Sequence, residues 1–263
     1  MNPAEQCFRE GDLAQCLALL QAEVRARPAD VKPRVFLAQL LMIRGEWARA
    51  LNQLQVLGEM DPATLPMVRS YEVAIRCEAL RAEVFAGKRS PLLLGDPEPW
   101  VALLLQALVL LAEGHVDQAA GLRERAFEAA PATAGRMNGT AFEWIADADP
   151  RLGPVMEVVL NGKYYWLPFA RLAKVVFEAP TDIRDLVWLP AELTFSNGGE
   201  AVGMVPVRYP GSEEDPDDAV KLARKTLWQA LDETTAIAMG QRVLATDVEE
   251  HGLLDVREIE LES

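Results

Sequence analysis

The sequence predicts a chain in two parts: a tetratricopeptide-like α-α superhelix over residues 1–135, then a smaller α+β domain with a mainly antiparallel sheet over residues 136–263. Three observations carry that prediction. Gly11, Gly45 and Gly114 each stand seventeen residues before a proline (Pro28, Pro62, Pro131), and the first two sets repeat at a period of thirty-four. Thirty-four residues is the length of one tetratricopeptide unit, in which a small residue relieves the turn between two helices and a proline closes the second. Beyond Pro131 the helical spacing stops, and the turn signals Asn161-Gly162 and Ser196-Asn197-Gly198-Gly199 separate runs of β-branched and aromatic residues.

Aligning the helical segments on their glycines tests the repeat. Leu13, Trp47 and Val116 coincide, as do Cys16, Ala50 and Ala119, while Leu20 and Leu54 meet Arg123. Small residues at the second of these positions let paired helices approach, and the apolar ones on either side fill the seam. Two units match well and the third in part. Between Pro62 and Gly114 the pattern predicts an additional helix from about Thr64 to Ala86 and a break at Gly87 to Pro91. An almost wholly apolar run from Trp100 to Leu111 then suits a helix buried between neighbours. At 12 residues that run is too short for a bilayer span, which needs about 20.

A boundary near Ala132 to Thr140 fits its small and polar residues. Val155 to Leu160 and Lys163 to Leu167 flank Asn161-Gly162, a hairpin turn whose central residues need positive φ. Arg171 to Phe177 continues the sheet, and Leu186 to Phe195 pairs with Glu200 to Tyr209. Pro190 and Pro206 fall inside these runs and mark an edge, a bulge or a strand end. An acidic loop from Gly211 to Asp218 caps a helix expected from Asp217 to Leu231, whose Val220, Leu222, Ala223, Leu227 and Leu231 include one apolar face. Strands are expected at Arg242 to Thr246 and Asp255 to Leu261.

Composition narrows the function classes. A 50% apolar content over 263 residues provides material for two packed domains, and 25% charged residues indicate a soluble chain. The opening Met1-Asn2-Pro3-Ala4-Glu5-Gln6 has no apolar signal core, so the expected location is the cytoplasm. Cys7, Cys16 and Cys77 have no metal-site spacing and fall in expected helices, which predicts reduced core thiols. A net charge of −14 disfavours nucleic acid and anionic membranes as partners. From Pro190 onward sixteen acidic residues face six basic ones, either a solvated surface or an acidic face for a basic partner segment.

No phosphate-cradling Gly-x-x-x-x-Gly-Lys-Ser/Thr loop, His-Glu-x-x-His helix or Gly-x-Ser-x-Gly elbow occurs. His115 and His251 are isolated, so neither metal nor cofactor is expected. The one enzymatic candidate is the carboxylate group Asp147, Asp149 and Glu157 with Arg151, which could divide acid and base roles in a hydrolase or transferase. The same Asp-x-Asp-Pro is an ordinary turn starting a strand, with Arg151 as ion-pair partner.

The aromatics carry a partner-binding alternative. Tyr164 and Trp166 share one strand face, and Tyr165 and Leu167 the other. Trp166 and Trp188 either pin the sheet to the helices or, with Tyr165, line a partner groove. In the repeats, Val35, Gln39 and Met42, with Leu104 and Leu108, are the groove-facing positions, although the leucines are equally good core.

Five separated motifs occur in order: Asp147-Ala-Asp-Pro-Arg-Leu-Gly-Pro154, Asn161-Gly-Lys-Tyr-Tyr-Trp-Leu-Pro-Phe169, Arg184-Asp-Leu-Val-Trp-Leu-Pro-Ala-Glu192, Asn197-Gly-Gly199 and Val205-Pro-Val-Arg-Tyr-Pro-Gly211. With the repeat-like helices before them, they resemble the ImpE/TagJ family, also called SciE-type virulence proteins, over nearly the whole chain. The resemblance implies a cytoplasmic, non-enzymatic adaptor of bacterial type VI secretion. It further implies association with the N-terminal region of the small contractile-sheath subunit and a link to the unfoldase ATPase that recycles the sheath.

Overall fold

The three repeat glycines all adopt positive φ, at 88°, 67° and 84° for Gly11, Gly45 and Gly114. Each turns one helix back on its neighbour in the computed structural model, which describes residues 2–96, 98–233 and 235–262. Helices α1 (Pro3–Glu10) and α2 (Leu13–Ala26) form the first hairpin, and α3 (Val31–Ile43) and α4 (Trp47–Met60) the second. A long single helix, α5 (Leu65–Phe85), and a two-residue strand, β1 (Leu92–Leu93), precede the third hairpin of α6 (Pro99–Ala112) and α7 (Val116–Ala129). The starts are capped as their residues dictate: Asn2 closes a capping box on α1, and Asp12 and Asp30 accept from the first turns of α2 and α3. In each hairpin the proline follows the second helix by two residues, where it cannot continue the turn.

The aligned positions form the seams. Leu13, Cys16, Leu20, Ala50, Leu54 and Ala119 are fully buried. In the third unit the place of Leu20 and Leu54 is taken by buried Arg123, which donates to Thr235 Oγ1 at 2.9 Å instead of filling an apolar seam. All three cysteines are free and lie in helices.

From residue 135 the chain is sheet-rich. In order come β2 (Gly135–Met137), β3 (Thr140–Phe142), β4 (Ile145–Asp147), β5 (Val155–Leu160), β6 (Lys163–Pro168), β7 (Leu172–Phe177), β8 (Trp188–Phe195) and β9 (Glu200–Pro206). After α8 (Asp218–Lys221) follow β10 (Thr226–Ala230), β11 (Ala236–Gly240), β12 (Val243–Thr246), β13 (Glu250–Gly252) and β14 (Glu258–Leu261). The main sheet has the order β1-β6-β5-β9-β8-β7-β14-β2-β3, flanked by a three-stranded sheet β13-β12-β4 and a ribbon β10-β11. Among the described residues every strand pairing is antiparallel except β1 with β6, by which the helical half donates a strand to the sheet.

Asn161 and Gly162 have φ of 49° and 78° and set the β5–β6 register at Leu160↔Lys163, the geometry that an Asn-Gly hairpin requires. Pro206 ends β9, and Pro190 lies one residue past the last β7 partner, Ala191↔Phe177.

The helix expected from Asp217 to Leu231 is corrected: only Asp218–Lys221 is α-helical, and residues 226–230 are strand β10. Asp217 does cap it, accepting from Ala219 N at 2.8 Å. Ala223 then enters the left-handed region at φ 53°, which ends the helix, and Thr226 to Ala230 pair with Ala236 to Gly240 instead. With one four-residue α-helix in it, the second part is mainly β rather than α+β.

Two of the three apolar cores draw on both parts. One joins α1 to α5 with Val187, Trp188 and Leu222; another joins Cys77, Val84, Trp100 and Leu104 with Val155, Tyr164, Trp166 and Tyr209. The third lies within the sheets. The segment 208–224 also reaches the helix ends. Arg208 donates to Ile43 O at 2.6 Å, Arg224 to Phe8 O at 3.0 Å, and Asp218 accepts from Leu13 N at 3.1 Å. Guanidiniums at helix C-termini and a carboxylate at an N-terminus match the helix dipoles.

The turn at Gly45 carries this contact, since a Cβ there would lie 2.5 Å from Glu213 Cγ. Gly45→Ala is therefore expected to cost about 1–3 kcal/mol through strain at positive φ and displacement of the 211–214 turn. A urea midpoint equal to that of the parent would contradict this.

Candidate functional site

Helix α5 aims one stripe at the sheet: Tyr71, Glu78, Arg81 and Phe85, at intervals that bring them to one face. The Tyr71 hydroxyl meets the Gln39 amide at 3.3 Å, and the Arg184 guanidinium lies 5.8 Å from the Tyr71 ring centroid. Glu78 accepts the Trp188 indole N–H at 2.8 Å. Arg81 donates to Glu157 from Nε at 2.7 Å and from Nη2 at 2.9 Å, and to Arg208 O at 2.7 Å. The Phe85 ring packs against Trp166 at 5.9 Å between centroids.

Glu157, on β5, is the centre of a buried network. Besides Arg81 it accepts from the Tyr164 hydroxyl and from Arg242. Arg242 also donates to Asp147, whose other oxygen accepts from the Tyr209 hydroxyl and from Asp149 N, both at 2.9 Å. Asp149 holds Arg151 through both oxygens, at 2.9 Å, 3.1 Å and 2.6 Å, and accepts from Ala238 N at 2.8 Å. All six oxygens of the three carboxylates are thus engaged, and Asp147, Asp149 and Glu157 are 3%, 0% and 0% exposed. The acid-base reading of Asp147, Asp149 and Glu157 is corrected on this geometry, because no oxygen is left to face a substrate. Asp147-x-Asp149-Pro with Arg151 is instead the turn that starts β5, its ion pair internal.

The two central carboxyls are driven apart. Burial pushes Asp147 up to about 6 against the pull of Arg242, with Asp149 adding to the rise. Burial also pushes Glu157 up, but Arg81 and Arg242 outweigh it and bring the group down to about 2. A carboxyl raised in the folded state stabilises most below its ordinary value of 3.8, and that contribution is lost as pH rises through about 6. The stabilisation from Glu157 is present above 4.5 and is lost as pH falls toward about 2. Above the Glu157 window and within that of Asp147 the urea midpoint is expected to fall as pH rises from 4.5 to 6, and Asp147→Asn is expected to flatten that slope. An unchanged slope in the variant would contradict the assignment.

Of the five residues expected to meet a partner, Trp166, Trp188, Gln39 and Met42 are interior. Trp166 and Trp188 are fully buried, each pinning the sheet to the helices, as the core alternative required. Met42 is fully buried and Gln39 is 5% exposed, its amide shared between Tyr71 and Asp182. Helix α3 packs on several sides, so Leu37 to Ile43 are all interior and offer no groove face. Leu104 and Leu108 are core, Val35 is half-buried, and only Tyr165 of the aromatic set keeps a partly exposed ring. Tyr164 with Trp166, and Tyr165 with Leu167, do fall on opposite faces.

Arg81, Glu78 and Arg242 carry no motif in the sequence, while Tyr209 stands in the fifth motif with no role attached to it there. The available signal was Arg81 recurring in phase with the apolar stripe of α5, between Tyr71, Ala74 and Val84. Among the described residues no cluster of three or more His, Cys, Asp or Glu could hold a metal. No described helix is long and apolar enough to cross a membrane.

Three helical hairpins and a beam helix, fastened to an antiparallel sheet by buried ion pairs, define the class of this protein. Residues 139–260 match the family described as ImpE protein. Over 259 residues the chain is 53% identical to the type VI secretion system accessory component TagJ of Pseudomonas aeruginosa, covering 98% of this chain and 91% of that one. The crystal structure of protein VPA1032 from Vibrio parahaemolyticus has the same fold, with a TM-score of 0.90 at 25% identity over 99% of this chain and 97% of that one. The chain belongs to the ImpE family.

Proposed function

We propose that the chain is a non-enzymatic, cytoplasmic accessory adaptor of a type VI secretion system. In this reading it binds the N-terminal region of the small contractile-sheath subunit and links it to the sheath-recycling unfoldase ATPase. The observation that carries the reading is the 53% identity to TagJ, sustained over 98% of the chain. The hairpins at residues 1–135 act as a tetratricopeptide-like array, and residues 136–263 as the sheet domain that braces it. The satisfied carboxylates support a role by shape, since the best enzymatic candidate is consumed in holding the sheet to α5. The ATP-driven step belongs to the partner, because the chain has no phosphate-cradling loop.

Capture of a tagged chain from the native bacterium, followed by peptide identification, tests the reading. Both sheath subunits and the unfoldase are expected among the retained proteins. Their absence after cross-linking in cells with an assembled sheath would overturn it.

A further inference from the structure

We propose that the hollow between the end of α7 and strand β4 is a docking site for a basic amphipathic segment of a partner protein. The proposal deepens the adaptor reading and rests on it for the occupant being a polypeptide. The hollow measures about 440 Å³ and is lined by Phe127, Pro131, Trp144, Ile145 and Pro150 among others, within the range of about 300–1,000 Å³ of ligand sites. Phe127 is 38% and Trp144 40% exposed, and Val248, at the turn of the adjoining β12–β13 hairpin, is 56% exposed. A fold that encloses Trp166 and Trp188 completely leaves this indole and phenyl ring partly exposed, both lining one hollow. Exposed aromatics that share a hollow mark interaction sites.

The Phe127 ring is seated across the backbone of Gly153, where a Cβ would lie 2.3 Å from its Cε1. Opposite it, β4 is an outer strand, paired along one side by β12.

Charge selects the occupant. Among the described residues no lysine or arginine lines the hollow. Asp247 Oδ1 stands 2.7 Å from Glu143 N and 3.4 Å from Trp144 N, and Glu124 and Glu128 flank Phe127 on α7. Among the described residues none of these four carboxylates has a basic partner within ion-pair distance, whereas Arg151 is held by Asp149. Arg125 lies two residues from Phe127, about 200° around the helix and turned from the hollow. The larger hollow beside α5, about 570 Å³, is lined by Arg69 and Arg184 and has the opposite character. An apolar floor with a carboxylate rim fits aliphatic side chains flanked by lysine or arginine.

The test uses the full chain and two labelled synthetic helical peptides of identical leucine pattern, one with lysine and one with glutamate at the polar positions. The lysine peptide is expected to bind and the glutamate peptide not. Trp144→Ala and Phe127→Ala should each weaken the lysine peptide about tenfold. Asp247→Asn with Glu143→Gln should weaken it less and reduce its salt dependence. Val202→Ser, at an exposed valine elsewhere, should leave it unchanged. Equal binding by the Trp144 and Phe127 variants would reduce the effect to general attraction by an acidic surface and overturn the proposal.

A peptide from the sheath subunit's N-terminal region separates this failure from that of the adaptor reading. If it binds parent and Trp144→Ala alike, the hollow is the wrong place and the adaptor stands. If it binds neither while the lysine peptide still depends on Trp144, the hollow stands and the sheath assignment falls.

Discussion

Replacing Glu157 by alanine is expected to cost about 3–5 kcal/mol, the loss seen when one partner of a buried ion cluster is removed. Glu157 is fully buried and accepts from Arg81, Arg242 and Tyr164. Without it Arg81 retains Glu78, at 3.3 Å, and the Arg208 carbonyl, while Arg242 retains Asp147 and the Pro206 carbonyl. Those partners were already engaged, so the guanidinium N–H groups and the Tyr164 hydroxyl that Glu157 held are left without acceptors where water cannot reach them. Against a typical total stability of about 5–15 kcal/mol, the loss is a large fraction. Because Arg81 belongs to α5 and Glu157 to β5, helical ellipticity and tryptophan fluorescence should fall together in urea. A Glu157→Ala midpoint within error of the parent would show that the cluster does not hold the two parts together.

Trp188→Ala is expected to cost a similar amount, about 3–5 kcal/mol, through the cavity left by a fully enclosed indole. The ring lies 6.0 Å from that of Trp47 on α4, and its N–H is donated to Glu78 on α5, so its removal loosens two helices and leaves a carboxylate without its donor. The comparison is internal to the molecule. Trp144, 40% exposed, should cost about 0.5 kcal/mol or less when changed to alanine, because a surface side chain leaves no cavity. Thermal unfolding of both variants decides the matter, and equal losses would contradict the placement of Trp188 between sheet and helices.

What was legible in the sequence is what local chemistry dictates. A glycine at positive φ between two helices, a proline just past the second, and Asn161-Gly162 at a hairpin tip are set by steric rules acting within a few residues. They gave the three helical hairpins and the β5–β6 pair. The segment 217–231 reads as helix because its early carboxylates suit a helix start and the apolar residues after them include one helical face. It folds otherwise because left-handed Ala223 breaks the run and residues 236–240 supply a pairing strand. Arg81 and Glu157 are separated by 76 residues, and Arg242 and Glu157 by 85. No periodicity within one element specifies such a partner, so Asp147 and Glu157 read as free carboxylates until the fold supplies Arg81 and Arg242, whereas Arg151, two residues from Asp149, is within reach of a local reading. Gln39 and Met42 were misplaced for a related reason. The spacing of α3 shows which residues share a face, and the neighbours that cover every face of its second half are known only from the assembled molecule.

Titration of the full chain with a synthetic peptide spanning the N-terminal region of the small sheath subunit, followed by amide exchange mapping, tests most directly the claim that this molecule works as a preformed docking body. The account predicts one saturable site, with protection gained at the binding surface and the α5–sheet junction already protected before peptide is added. Absence of saturable binding, or a junction that gains its protection only on binding, would contradict it.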